Sequence, residues 1–285
     1  MFAQQLINGL VLGSIYALCA LGFTLIFGVA RVVNFAYGEL LALGAFATLT
    51  LIGVMKVGFF VALPLAMALV AVVSVLVYLV TVRPVMRGTP LQSLLVTTGV
   101  LYVLHEIIIV IWGTDPHQMD MGLDGAFEFG TVVITHQRLV TVATMLFLVL
   151  SLYHILYRLR IGKALRAVAQ NRAGAEAIGL NVDHVVSFAF AVSGAMACAA
   201  GALIGALYAT EANMGGAPLL KSFVIVIFGG LGSIPGAIVG GLVIGLAETF
   251  TGIYVSYAFK DVFTFLIMVL VLLLRPAGLL GTRTS

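Results

Sequence analysis

The sequence predicts an all-α protein, a polytopic bundle of about eight or nine transmembrane segments, some of them short or broken. Of its 285 residues, 62% are hydrophobic and 9% are charged. Because an average soluble domain has about 25% charged residues, a soluble fold is excluded. The mean hydropathy of +1.20 and the 32 glycines are typical of packed membrane helices, and the alternating segments of a membrane β-barrel are not found. We expect a single transmembrane domain over residues 1–285.

Apolar runs with few charges locate the individual segments, since about 20 apolar residues span a bilayer core. The first run is too long for the core of a signal peptide, so we expect it to be the first membrane helix. Cys19 and Cys198 lie within such runs without metal-ligand spacing, and we expect both in the core. The runs are 6–29, 34–55, 57–82, 91–113, 138–157, 185–209 and 259–275.

The region 218–254 is apolar but rich in glycine. Small residues at every fourth position form a flat stripe on which another helix can pack closely. Pro235 would kink or end a helix, so we favour two short spans with a turn at 232–235, which gives about nine segments. A re-entrant pair is the alternative. The glycines of the stripe are Gly232, Gly236, Gly240, Gly241 and Gly245.

The charges of the connecting segments orient the chain, because Lys and Arg mark the cytoplasmic side of a membrane protein. The segment 114–137 is acidic and is expected outside, whereas the segment 158–184, the 83–90 connection and the C-terminus are expected in the cytoplasm. The acidic residues are Asp115, Asp120, Asp124 and Glu128; the basic ones are Arg83, Arg87, Arg158, Arg160, Lys163, Arg166, Arg172, Arg275 and Arg283.

Ionisable groups inside membrane spans are costly and are therefore candidates for function. We predict that Asn34, Glu39, Glu106 and Glu248 contribute to a translocation path. Each carboxylate also has a structural alternative: Glu39 as a helix cap near the cytoplasmic end of its span, Glu106 as a partner of His105 or of another helix, and Glu248 as the anchor of a helix end. For Lys221 the alternatives are function and snorkelling to the outer interface.

The sequence contains no motif for catalysis. Nucleophile–base sets, metal clusters and phosphate-binding loops are not found. We therefore expect no enzymatic activity and no cofactor bound by this chain.

The polar segment 162–184 interrupts the apolar chain. Ile161, Leu165 and Val168 fall on one helical face, and Gly174 and Gly179 follow, so we expect two short helices joined by a turn. An amphipathic helix on anionic lipid is one interpretation. A docking helix for a soluble partner is favoured, because the amphipathic pattern is weak.

Four stretches together resemble one family of membrane proteins. They are QQLINGLVLGSIYALCALGFTLIFGV (4–29), VNFAYGE (33–39), GLGSIPGAIVGGLVIGLAE (230–248) and LLLRPAGLLG (272–281). They are similar to the permease subunits of bacterial ABC importers for branched-chain amino acids, in the branch of the first of two paralogous permeases. Tyr37 departs from the family pattern, which usually has His, so no role of that imidazole is carried over.

The resemblance implies a multi-pass protein of the bacterial inner membrane that imports Leu, Ile and Val. The implied partners are a second paralogous permease, two ATPase subunits that use ATP and Mg²⁺, a periplasmic binding protein and membrane lipid, without nucleic acid. Permeases for urea, short amides or another amino acid, and ion-coupled secondary transporters, are the alternatives. The segment 158–184 would couple to the ATPase through Arg166, Gln170, Asn171, Ala175, Glu176 and Gly179.

Overall fold

The computed structural model describes residues 2–86, 88–123, 125–129, 132–275 and 278–281. Arg87, Asp124 and Arg283 of the charge argument lie outside the described residues, as does the side chain of Glu128.

Helices account for nearly all of the described chain. In order they are α1 (Phe2–Ala30), α2 (Tyr37–Met55), α3 (Phe59–Val77), a π-helical turn (Tyr78–Val82), α4 (Arg83–Val85), α5 (Pro90–Trp112), α6 (His136–Arg158), α7 (Arg160–Gln170), α8 (Arg172–Ala177), α9 (Val182–Leu207), a 3-10 turn (Ala212–Gly215), α10 (Gly216–Gly229), α11 (Ile234–Tyr254), a second 3-10 turn (Tyr257–Phe259) and α12 (Lys260–Leu274). A small antiparallel pair, β1 (Ala126–Phe129) and β2 (Val132–Thr135), precedes α6.

Within the described residues, nine helical segments are long and apolar enough to cross a membrane, which confirms the predicted all-α polytopic fold. The 218–254 region forms two of them, Ala212–Gly229 and Ile234–Tyr254. At a rise of about 1.5 Å per residue each is about 30 Å long, so both have the length and composition of the favoured pair of spans. Pro235 lies in the first turn of α11, where no backbone donor is lost.

The core of the bundle is formed by α1 and α9, which are mostly buried, whereas little of α5, α6 and α12 is buried. Glycines allow the closest approaches. A Cβ on Gly241 would lie 2.5 Å from Ala17 of α1, and a Cβ on Gly240 would lie 3.1 Å from Ile225 of α10. The glycines of the predicted stripe therefore contact two neighbouring helices of the same chain, α1 and α10.

The remaining stripe residues follow the same division. Gly236 faces Gly229 of α10, and Gly245 faces Gly13 of α1. Gly232 lies in the turn before α11 with a φ of +80°, so it serves the turn and not a helix interface.

The C-terminus of α1, helix α7, the α10–α11 turn and the chain end lie together at one end of the bundle. We call this end the α7 end. Arg31 donates to the Ala169 carbonyl at 3.3 Å. The amides of Leu279 and Leu280 donate to Phe228 and Gly229, the last residues of α10. The opposite end holds β1 and β2, where the Gln4 side chain pairs with the backbone of Val133; we call it the hairpin end.

The two ends differ in charge. The hairpin end carries Asp115, Asp120, Glu211 and Asp261 beside Lys56, Arg138 and Lys260, whereas at the α7 end the basic residues outnumber Glu176 and Asp183. This separation matches the charge asymmetry of the connecting segments. The described basic residues of the α7 end are Arg31, Arg83, Arg158, Arg160, Lys163, Arg166, Arg172 and Arg275.

Candidate functional site

A break in the helical backbone lies between α1 and α2. Residues 31–36 are not helical, and Arg31 has a φ of +53°. The Tyr37 hydroxyl, on the first residue of α2, donates to the Cys19 carbonyl at 2.9 Å. Because Cys19 lies about 16 Å before the end of α1 by helical rise, α2 begins deep inside the bundle.

Three polar side chains surround this break, and we call Asn34, Glu39 and His105 the break site. Glu39 is buried, and its Oε2 lies 3.3 Å from Nδ1 of His105 on α5. Asn34 is 1% exposed; its Oδ1 accepts from the Ala36 amide at 3.1 Å, and its Nδ2 has no partner among the described residues. Glu39 lies in the first turn of α2, near an end of its span as expected. The alternative that it caps the helix is wrong, since its carboxylate contacts His105 and α2 has no side-chain cap.

The break site is suited to a polar ligand. Irregular backbone at membrane depth is tolerated only where protein buries it or where it lines a cavity, and transporters place substrate sites at interrupted helices. The Glu39 carboxylate can accept from an ammonium group, and the free amide of Asn34 can donate to a carboxylate. Gly38 brings the backbone close to the 3-10 turn before α10, because a Cβ there would lie 2.7 Å from the Gly215 carbonyl oxygen.

Glu106 lies elsewhere than its neighbour His105. It is exposed on the outer face of α5, among the exposed apolar side chains of Tyr102, Val103 and Val110. The alternative that His105 and Glu106 pair with each other is wrong, since His105 contacts Glu39. A lone carboxylate on an apolar helix face is costly against lipid.

Glu248 belongs to a second polar cluster. The Lys221 ammonium lies 2.6 Å from Glu248 Oε1 and 3.3 Å from Asp261, and it donates to the Tyr16 hydroxyl at 2.7 Å. Tyr16 in turn donates to Glu248 Oε2 at 2.8 Å, and Lys260 lies 3.4 Å from Oε1. The three N–H donors of Lys221 thus have three acceptors, which indicates a cluster that stabilises the fold.

Two structural alternatives for this cluster are therefore wrong. Lys221 is buried and does not snorkel to an interface, and Glu248 lies within α11 rather than at its end. The two side chains lie on consecutive apolar helices, 27 residues apart, so local composition does not reveal that they pair.

The two short helices predicted after residue 158 are α7 and α8, which lie at the α7 end. Leu165 and Val168 share the buried inner face of α7, whereas Lys163 and Gln170 are exposed on the other side. The expectation that the amphipathic pattern of this helix is weak is therefore wrong. The Asn171 side chain accepts from the Gly174 amide at 2.9 Å and caps α8, while Gly179 ends it with a φ of +84°.

The predicted coupling residues differ in exposure. Gln170, Asn171, Glu176 and Gly179 are exposed. Arg166 points back into the bundle, where it donates to the Leu156 carbonyl and lies over the Tyr157 ring. Ala175 is 3% exposed, so the expectation that its side chain is offered to a partner is wrong.

Comparison with known proteins identifies the family. The family described as "Branched-chain amino acid transport system / permease component" matches residues 5–272. The chain belongs to this family. The permease is 32% identical to the high-affinity branched-chain amino acid transport system permease protein LivH of Escherichia coli K12, over 98% of this chain and 96% of that one.

Two further relatives have similar names. BraD of Pseudomonas aeruginosa, also named as a high-affinity branched-chain amino acid transport system permease protein, is 32% identical over 98% of this permease and 96% of its own length. The probable branched-chain amino acid transport permease protein LivH of Methanocaldococcus jannaschii is 29% identical over 96% and 91%. All three are named as permeases and not as enzymes, and in the described part of this permease no three metal-ligand side chains come together.

One exposed residue of the permease is missing from the sequence-based predictions. Ile178 directly follows α8 and is 75% exposed at the α7 end. The sequence does contain a signal for it. An aliphatic residue stands directly before the turn glycine Gly179, in a polar segment that is not part of a membrane span.

Proposed function

We propose that the chain is the membrane-spanning permease subunit of an ATP-driven importer that carries Leu, Ile and Val across the bacterial inner membrane. The observation that carries this proposal is the full-length similarity to permeases named for branched-chain amino acid transport. The break site adds a physical reason, because it offers partners for both charged groups of an amino acid.

The break site is the part of the path that this chain contributes. Crossing a low-dielectric region is expensive for a zwitterion unless its charged groups find partners. Glu39 would receive the ammonium group, and Asn34, whose Nδ2 is unpaired, would donate to the carboxylate. Glu248 is excluded from this role because its oxygens are already occupied within the chain.

The outer face of α5 would lie against the second permease. Glu106 makes this face unsuited to lipid, and the packing of α5 leaves its apolar residues Val103 and Val110 exposed. This face and the corresponding face of the second permease would enclose a path between the subunits, and Glu106 would line it. The break site would lie on the inner side of α5, where His105 contacts Glu39.

The α7 end would face the cytoplasm, with the C-terminus, and would bind an ATPase subunit through α7 and α8. The positive charge of this end supports the orientation. ATP and Mg²⁺ would bind to the two ATPase subunits, and this chain would bind no cofactor of its own. A periplasmic binding protein would deliver substrate at the hairpin end.

Coupling would pass through α7 to the membrane helices. Helix α7 is tied to the end of α1 by the hydrogen bond from Arg31 to Ala169, and α1 is tied to the start of α2 by the bond from Tyr37 to Cys19. A shift of α7 during ATP hydrolysis would therefore be transmitted to the break site. The two states must differ in these contacts for ATP to change the path.

Transport by the reconstituted complex tests the proposal. Leucine uptake is measured with the wild type, Asn34→Ala and Glu39→Gln, with Glu211→Gln, an exposed carboxylate outside the spans, as the control. We expect at least a tenfold loss with Glu39→Gln and a smaller loss with Asn34→Ala, at normal expression. Wild-type rates for both variants would show that the break site is structural, and the absence of ATP-dependent leucine uptake by the wild type would contradict the function itself.

A further inference from the structure

A cavity of about 320 Å³ opens at the α7 end, between α1, the end of α6, helix α7 and the α10–α11 turn. Its volume lies in the range of about 300 to 1,000 Å³ that is usual for small-molecule sites. The walls are mainly aliphatic, and among the lining residues Arg166 is the only charged one. The aliphatic walls include Leu25, Leu156, Leu165 and Ile234.

Arg166 gives the cavity a preference for anions. Its guanidinium carries five N–H donors in a planar fork, and it donates to the Leu156 carbonyl and lies 4.9 Å above the Tyr157 ring. Donors therefore remain available for an oxyanion, and a carboxylate matches their geometry.

Thr24 adds an unpaired polar group. It lies about 9 Å before the end of α1 by helical rise, is 1% exposed, and its Oγ1 has no hydrogen-bond partner among the described residues. A buried hydroxyl without a partner is rare and costs free energy. An acceptor oxygen of a ligand in the cavity would satisfy it.

We propose that this cavity binds a small aliphatic carboxylate from the cytoplasmic side. Arg166 would hold the carboxylate, the aliphatic walls would bury a branched side chain, and the Thr24 hydroxyl would donate to a carboxylate oxygen. An aliphatic amine would be repelled by Arg166. A phospholipid chain would leave the Thr24 hydroxyl unpaired, so a lipid fits less well than a short ligand.

The ligand's source rests on the proposed function. Imported Leu, Ile and Val are aliphatic carboxylates that would accumulate on this side of the membrane. Residues of α7 and of the α10–α11 turn both line the cavity. A bound ligand would contact both elements, fix the distance between them and so oppose the movement of α7. Accumulated product would thereby slow further import, provided that it binds one state more tightly than the other.

Binding is tested with the complex purified through a tag on this chain, and the probes are 4-methylpentanoate and 3-methylbutylamine. The first keeps the branched chain and carboxylate of leucine without its ammonium group, and the second keeps the chain and ammonium group without the carboxylate. A path built around Glu39 would repel 4-methylpentanoate, so its binding reports on the cavity. We expect saturable binding of 4-methylpentanoate and none of the amine.

Four variants separate the cavity from other sites. Thr24→Val should weaken 4-methylpentanoate binding about fivefold, the size of one hydrogen bond, and Arg166→Gln should abolish it. Val29→Phe, which adds volume to another lining residue, is a second test if Thr24→Val folds poorly. Thr141→Val, at a buried hydroxyl that bonds to Gln137 outside the cavity, is the matched control and should bind as the wild type does.

Equal binding by Thr24→Val, Val29→Phe and the wild type would overturn the proposal, as would binding of the amine. Displacement of the probe by anionic phospholipid would assign the cavity to lipid instead. Uptake into vesicles loaded with 4-methylpentanoate should fall in the wild type and less in Thr24→Val, while uptake into empty vesicles is the same for both. If the wild type binds 4-methylpentanoate but does not import leucine, the proposed function is contradicted, whereas the proposed carboxylate site is supported.

Discussion

The Lys221 ammonium lies 2.6 Å from the Glu248 carboxylate, and this buried ion pair joins α10 to α11. Tyr16 of α1 contacts both partners, donating to Glu248 and accepting from Lys221. The same cluster contacts the start of α12 through Lys260 and Asp261. Polar side chains from four helices, α1, α10, α11 and α12, therefore contact one another within an otherwise apolar bundle.

Removal of one partner of this ion pair should destabilise the fold strongly. Lys221→Met leaves Glu248 with Lys260 at 3.4 Å as its only cationic partner, and Glu248→Gln leaves Lys221 with the half-exposed Asp261 at 3.3 Å. Loss of the 2.6 Å partner of a buried pair costs up to about 3 to 5 kcal/mol. Lys221→Met combined with Glu248→Met should cost less than either change alone. Thermal unfolding in detergent measures this, with Glu176→Gln, in an exposed pair with Arg172 at 3.4 Å, as a control that should change stability by less than about 1 kcal/mol. Single variants as stable as the control would contradict the assigned role.

Leucine at the glycine contacts should prevent close packing of α11. Gly241→Leu would place atoms against Ala17 of α1, and Gly240→Leu against Ile225 of α10; overpacking of this kind costs about 1 to 3 kcal/mol or more. We expect loss of the monodisperse peak in size-exclusion chromatography. Gly53→Leu, at a position with no atom within 4 Å, is the control. Wild-type profiles for both packing variants would show that the helices can separate without cost.

Substitutions on α8 should separate ATPase docking from folding. Ala175 is buried, so Ala175→Glu should reduce folding as well as docking, whereas Ile178→Asp and Ala177→Glu change exposed positions. With these two variants we expect normal membrane insertion and at least a tenfold loss of ATPase co-purification and of ATP-dependent uptake. Full co-purification by Ile178→Asp and Ala177→Glu would place the docking site elsewhere.

The outer face of α5 should crosslink to the second permease. A photo-crosslinking amino acid at Val103 or Val110, which are 60% and 82% exposed, is expected to capture that subunit. The same group at Leu273 on α12, 75% exposed on a face without a carboxylate, should capture lipid. Crosslinks from Leu273 but not from α5 would contradict the proposed interface.

Cysteine labelling tests the orientation. In a background without Cys19 and Cys198, a cysteine at Asp120 should react with a membrane-impermeant reagent in intact spheroplasts, whereas one at Gln170 should react only after lysis. Labelling of the Gln170 position in intact cells would reverse the orientation and move the ATPase site to the other face.

The sequence by itself determined the approximate limits of most membrane helices, but left their number at eight or nine. The length of an apolar run and the charges beside it are local properties, and the lipid environment allows few other solutions for such runs. The turn before Pro235 and the two short helices after residue 158 were predicted for the same reason, since glycine, proline and helix-forming residues act on their own neighbourhood.

The tertiary structure alone decided which polar groups meet. His105 is adjacent to Glu106 in sequence but contacts Glu39, and Lys221 finds Glu248 on the next helix. The depth of Glu39 likewise depends on where α2 begins beside α1, and the burial of Ala175 depends on how α8 folds against its surroundings. These properties follow from the rotation and offset of one helix against another, which side-chain packing sets across the whole bundle and which no local stretch of sequence encodes.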